Sequence, residues 1–322
     1  MKRALIAAAA ILVLAGCTSE VPTVSAPAEP EFAAALVEDQ VERILPETFE
    51  ELAVADEAAD AKLLTDRVGG HARSVRSAQY KQASAKGGPT PPELPANSQA
   101  VYVSAENVWP RMLVSVSEQP SDELTPVVML WIQEDVDSGY QLRSWAHMVP
   151  GATLPAMAGP ATGAAQLPMT STATDPTPQK AIEDYVTLLQ EGATSELNDD
   201  FAPDSYRERL FTARTVLTKA AKKAKGTYKD VIKADIEGSY VLQSADGGAL
   251  VFTPFTVDST FTVKGAKVSV PATDKPLVSG KLTTKVTHHY LDFIVMYIPG
   301  PATDSNPGVV AADHQLIKVA AK

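Results

Sequence analysis

Apolar residues recur at two periods along this chain, and the order of those periods predicts its elements. Phe32, Leu36, Val41 and Ile44 are spaced for one face of a helix. Pro46 is expected to interrupt it, because proline lacks an amide hydrogen and clashes with the preceding turn. Phe49, Leu52, Ala53, Ala59, Leu63 and Leu64 predict a second helix, ending near Gly69-Gly70. Residues 71–83 fit either a helix or a strand ending at Tyr80. A proline- and glycine-rich loop covers 87–97. From there the period falls to two. A short strand over 101–103 precedes one in which Met112, Val114 and Val116 alternate on one face. Residues 127–132 are apolar on both faces and read as a central strand. Ser138-Gly139 then turns the chain into a strand over 140–148.

The second half repeats the plan. Ile182, Tyr185, Leu188 and Leu189 mark one helix; Tyr206, Leu210, Ala213, Leu217 and Ala221 mark another. Ser205 and Glu208 have capping-box spacing at its start, and Gly226 can close its end. A strand over 236–243 turns through Asp246-Gly247-Gly248 into a long strand. There Phe255, Val257, Phe261 and Val263 alternate with Thr256, Asp258, Thr260 and Thr262. A hairpin turn is expected at 264–267, then the longest strand at 282–298, apolar on both faces after His289. A loop at 299–307 leads to a closing strand at 313–319. Helices first and an antiparallel meander second is an α+β arrangement. The expected organisation is two α+β domains, at 31–149 and 179–322. Between them, 150–178 holds six prolines and few large apolar residues. It reads as an extended linker spacing the two.

The front of the chain changes the picture. Lys2 and Arg3 precede an uninterrupted run of small and apolar residues over 4–16, and Cys17 follows. The run is shorter than the roughly 20 residues needed to span a bilayer. A basic start, a short apolar centre and small residues before a cysteine form the layout of a lipoprotein signal peptide. Residues 1–16 are expected to be removed and 17–30, with three prolines, to be a tether. Cys17, the one cysteine of the 322 residues, is the expected lipidation site. Two acyl chains there would anchor the protein stably to the outer face of the cell membrane. With Cys17 blocked, no disulfide can form. A formal charge of −11 argues against a nucleic-acid partner, which needs a basic face.

Candidate chemistry is sparse. The sequence contains no glycine-rich phosphate loop, nucleophile elbow or metalloprotease helix, so no catalytic, cofactor-binding or metal residue is assigned. Of the five histidines, His288, His289 and His314 lie on the last two strands. If those strands pair about 299–307, His314 falls opposite Asp292, and His288 shares its face. Three such donors could suit zinc, although unconnected polar residues on a strand face are the simpler reading. Lys219, Lys222, Lys223, Lys225 and Lys229 form a basic patch that could touch anionic headgroups or merely complement a helix C-terminus. Tyr102, Trp109, Trp131, Tyr140 and Trp145 could line a ligand cleft or pack as core. Asp56, Glu57 and Asp60 sit at solvent-face spacing.

Three stretches carry a resemblance. The runs from Leu63 through Thr65-Asp66-Arg67-Val68-Gly69-Gly70-His71 to Tyr80, Val108-Trp109-Pro110-Arg111, and Ala245-Asp246-Gly247-Gly248-Ala249-Leu250-Val251-Phe252 resemble a family of uncharacterised actinobacterial lipoproteins. That resemblance implies an organism group but no activity. The element order is similar to the NTF2-like or cystatin-like class, which implies a fold and not a function. The expected role is a non-catalytic interaction or scaffold protein contacting another envelope protein or polymer. The alternatives are a lipoprotein binding a lipid or small apolar ligand, or an enzyme with an unrecognised site.

Overall fold

Four helices and ten strands build four layers, helix–sheet–sheet–helix, in a computed structural model that describes residues 33–321 apart from Asn107 and Pro160. The expected signal peptide, tether and lipidation site Cys17 lie outside the described residues. No described helix is long and apolar enough to cross a membrane.

The first layer is α1 (Glu38–Ala58) with α2 (Gly70–Ala83). The expected break at Pro46 does not occur, and α1 runs through it. An interior proline costs about 3 kcal/mol, but Ile44, Leu45, Thr48 and Leu52 on either side are all buried. Their burial against the sheet outweighs the lost turn. Gly69-Gly70 starts a helix instead of ending one. Gly70 has φ +53°, the left-handed region glycine tolerates best. A Cβ there would stand 3.3 Å from Arg143 Cδ and Nη1.

Strands β1 (Ser98–Val103), β2 (Arg111–Ser117), β3 (Val127–Gln133) and β4 (Gln141–His147) form the expected antiparallel meander in the order β1-β2-β3-β4. Their alternation divides the side chains between two cores. Leu113, Met129, Trp131 and Trp145 face α1 and α2. Met112, Val114, Val128, Leu130 and Ile132 face the other way.

The fourth layer is α3 (Pro178–Glu191) with α4 (Ser205–Lys223). Asp204 caps α4, accepting the Arg207 amide at 2.7 Å, so the cap lies one residue before the expected Ser205. Beneath these helices β5 (Thr227–Ala234), β7 (Ala249–Thr262), β9 (Lys285–Ile298), β10 (Gly308–Ala321) and β8 (Val278–Ser279) follow one another across a mixed sheet, and β6 (Tyr240–Gln243) also pairs with β7. The tight hairpin expected at 264–267 is a longer excursion. Thr262 pairs with Lys285, and the residues between hold a 3₁₀ turn, Ala272–Leu277, and β8.

Strand β9 decides the architecture. Ile294, Met296 and Ile298 pack under α3 beside Ile182 and Tyr185. Phe293 and Val295 pack on the inner face of the first sheet. A strand apolar on both faces needs two covers, and the second cover is the other half of the chain. The proline-rich segment reinforces the join. Ala164 exchanges backbone hydrogen bonds with Val103 and Ala105, while Leu167 and Gln243 bond across to Val241 and Ala165. The described residues accordingly fall within one compact unit, Phe32–Lys322. The two spaced domains of the sequence reading become two halves sharing a core.

Candidate functional site

An open groove runs between α1 and β1. Its apolar floor is Leu36, Val41, Leu45, Phe49, Val101 and Val103, and its volume is about 1020 Å³. Helical spacing puts these α1 residues on one side, and β1 is an edge strand of its sheet. Phe49 rests edge-on against buried Trp131, with ring centroids 6.4 Å apart. Trp131 Nε1 donates to Thr48 Oγ1 at 3.0 Å, and Thr48 Oγ1 donates to the Ile44 carbonyl at 2.9 Å. The floor is thus fixed from below. Glu38, Glu42 and Glu50 form the charged part of the rim, and no lysine or arginine stands among its described lining residues.

A second region lies where α2 meets the seam of the two sheets. His71, near the start of α2, lines a cavity of about 320 Å³ with Arg143, Ser144, Tyr240, Leu291 and Phe293. Both ring nitrogens are buried, and among the described residues neither has a hydrogen-bond partner in good geometry, the Asp292 backbone lying nearby. Burial lowers the His71 pKa to about 4, opposed only in part by the backbone of Asp292 and the charge of Asp313. The imidazole is therefore neutral at physiological pH. Two hydroxyls of the lining bond to backbone: Ser74 donates to the Gly70 carbonyl at 3.1 Å and Ser144 to the Arg143 carbonyl at 2.7 Å.

Two histidine–aspartate pairs flank the seam. His147 Nδ1, at the end of β4, lies 3.0 Å from Asp313 on β10. That hydrogen bond raises the His147 pKa, against the cost of burial. The expected pairing of His314 with Asp292 holds in register. His288 does not join them as a third ligand. The Tyr290 ring stacks 3.9 Å from the His314 ring and 6.3 Å from that of His288, which it separates. Among the described residues no group of three donors is placed to hold a metal ion. Tyr206 donates to Asp292 from α4, and both are buried. The Tyr206 hydroxyl is held far above its usual pKa, first by burial and then by the Asp292 charge.

The remaining candidates separate cleanly. Trp131, Tyr140 and Trp145 are core, Tyr102 packs toward the inter-sheet core, and Trp109 is exposed beneath the Arg111 guanidinium. Asp56 is not a free solvent-face carboxylate: it accepts from Tyr80 at 2.6 Å and pairs with buried Arg76 at 3.2 Å. Asp60 caps a short 3₁₀ turn. Lys219, Lys222, Lys223, Lys225 and Lys229 are all exposed, the last on β5.

A family model matches residues 35–320, spanning both halves and the proline-rich segment. The chain belongs to the domain of unknown function DUF8094. No curated protein and no solved structure matches it. The DUF8094 match begins beside Leu36 at the groove and ends in β10, so the groove and the seam are both family territory. The groove was missed in the sequence because α1 and β1 are distant along the chain. The signal that could have found it is Glu38, Glu42 and Glu50 at helical spacing beside Val41, Leu45 and Phe49.

Proposed function

We propose that this chain is a non-catalytic interaction protein of the cell envelope, exported and anchored through a lipidated Cys17, with the α1–β1 groove as its contact surface. The single observation that supports the reading is the groove itself: an apolar floor under a rim whose charged residues are all acidic. An apolar floor takes apolar side chains out of water. Acidic rim residues favour basic flanks on whatever enters and disfavour fatty-acid carboxylates and anionic headgroups. Among the readings that the sequence left open, this favours a protein segment over a lipid ligand. The organism group and an NTF2-like or cystatin-like relationship stay part of the proposal, carried by resemblance and element order alone.

Titrating the protein with a short amphipathic Leu/Lys peptide and with its Leu/Glu counterpart tests the groove. The Leu/Lys peptide should bind and perturb the fluorescence of Trp131 behind Phe49, and Val41→Asp should weaken that binding at least tenfold. Equal binding of the two peptides, or none, would remove the groove from this role. For the anchor, Cys17→Ser should release the protein from the membrane fraction or leave its precursor uncleaved. Correct processing with full membrane retention would reject lipidation.

A further inference from the structure

We propose that the segment entering the α1–β1 groove is helix α4 of a second copy of this chain, an inference that rests on the groove being a protein-contact surface. The C-terminal half of α4 is unusual in an acidic protein. Ala213, Val216, Leu217 and Ala220 recur at three- and four-residue spacing and are all exposed, Val216 by 58% and Leu217 by 37%. They form an outward apolar stripe. Lys219 and Lys223 run along one flank of the stripe, with Lys222 one position further round. From Arg209 to Lys229 the sequence has no acidic residue, although the chain carries −11 overall. Among the described residues none of Lys219, Lys222, Lys223 and Lys225 makes an ion pair.

The two surfaces are complementary in character and length. One is an apolar floor with Glu38, Glu42 and Glu50 on its rim; the other is an apolar stripe edged by lysines. The groove follows α1 from Glu38 to Ala53, roughly 22 Å at 1.5 Å per residue, and the α4 stripe from Ala213 to Lys223 covers roughly 15 Å. An amphipathic helix seated in an apolar groove is a recurrent mode of recognition. The two surfaces occupy different parts of one chain, α1 with β1 and α4. The contact joins unlike patches: unless a pair closes about a two-fold axis with each groove filled by the other's α4, every docked copy still offers a free groove or a free α4 and assembly proceeds head to tail.

Charge exchange between copies tests this. The background is the chain from Thr18 onward, which keeps the whole compact unit Phe32–Lys322 and carries neither acyl chains nor the apolar 4–16 run to drive association. Sedimentation velocity should show wild-type self-association that weakens with salt. A groove-reversed variant, Glu38→Lys with Glu42→Lys, should associate at least tenfold more weakly. So should a helix-reversed variant, Lys219→Glu with Lys223→Glu. Mixing the two variants should restore association, because each then meets an opposite charge; restoration also shows that both fold. A wild type that stays monomeric at low salt overturns the proposal, as do variants that associate like the wild type or a mixture that fails to recover. Binding of wild-type monomer to phosphatidylglycerol vesicles, lost in the helix-reversed variant, would assign α4 to a bilayer and overturn it too. The Leu/Lys peptide result is independent: peptide binding by a monomeric wild type would leave the groove reading standing and this inference rejected.

Discussion

His314 Nδ1 lies 2.8 Å from both carboxylate oxygens of Asp292, whose side chain is wholly buried while the His314 ring keeps 31% of its surface in solvent. Tyr206 donates to the same carboxylate from α4. One buried acid therefore fastens the last strand pair to the helix above it. Breaking such a cluster by deleting the charge leaves its partners unpaired. Asp292→Ala, which orphans the buried Tyr206 hydroxyl, and Tyr206→Phe are each expected to cost about 1–3 kcal/mol. Urea denaturation of the single and double variants gives both values. Additive losses would show that the two groups do not share one network.

Stability should fall on mild acidification. The folded His71 pKa is about 4 because the ring is buried, against 6.5 for the unfolded chain. Between those values the unfolded state takes up a proton that the folded state refuses. Stability is thus lost as pH falls from 6.5 toward 4, with a ceiling of about 3 kcal/mol. His288, also lowered by burial, adds in the same direction. His147 acts oppositely: its pKa is raised by Asp313, so its contribution is complete below 6.5 and is lost as pH rises through the folded value. Urea midpoints measured against pH should show a shallower acid limb in His71→Gln. An unchanged limb would mean that the ring is not buried neutral.

Phe293 stands at the meeting of the two sheets and is 1% exposed. Phe293→Ala should cost about 3–5 kcal/mol as a buried large-to-small change. The three tryptophans all lie in the first half, so their fluorescence follows that half while far-ultraviolet dichroism follows the whole chain. The two signals should give coincident thermal transitions, as a shared core requires. Separate transitions would mean that the inter-sheet core does not couple the halves.

Gly163 has φ +69°, and a Cβ there would stand 2.8 Å from the Ser104 carbonyl oxygen and 2.9 Å from the Ala105 amide nitrogen. Both atoms belong to the backbone and cannot yield as a side chain would. Gly163→Ala should cost about 1–2 kcal/mol from the left-handed backbone alone, with more from the contact. Proteolysis within 150–178 should accelerate in step. Wild-type stability in the variant would show that this segment is not held against β1.

Much of the fold was legible where one physical signal dominated. The alternation in 112–116 and the two-sided apolar run at 290–298 found their strands, and His314 fell opposite Asp292 as strand pairing requires. What covers the second face of β9 was not legible, because periodicity reports that a face is buried and not by what. Strand β5 escaped notice because Lys229, Asp230 and Lys233 mask it, as charges do on an edge strand. Pro46 shows its local cost in the sequence, whereas the burial of Ile44, Leu45, Thr48 and Leu52 that offsets it exists only in the fold. The linker misled because proline content predicts extension but not pairing, and extended backbone here bonds to β6 and to the end of β1. The groove needs two elements brought together from distant parts of the chain, so no local pattern announces it.

The seam also sets a schedule for making the protein. His147 and Asp313, which meet across it, are 166 residues apart in the chain. A chain delivered from its N-terminus presents Met112, Val114, Leu130 and Ile132 long before Phe293, Val295 and Val310 arrive to cover them. For that interval an apolar sheet face has nothing to rest on, a condition that favours aggregation. Distant pairings of this kind also close slowly. A fragment that ends before β9 would therefore leave that face of the first sheet uncovered.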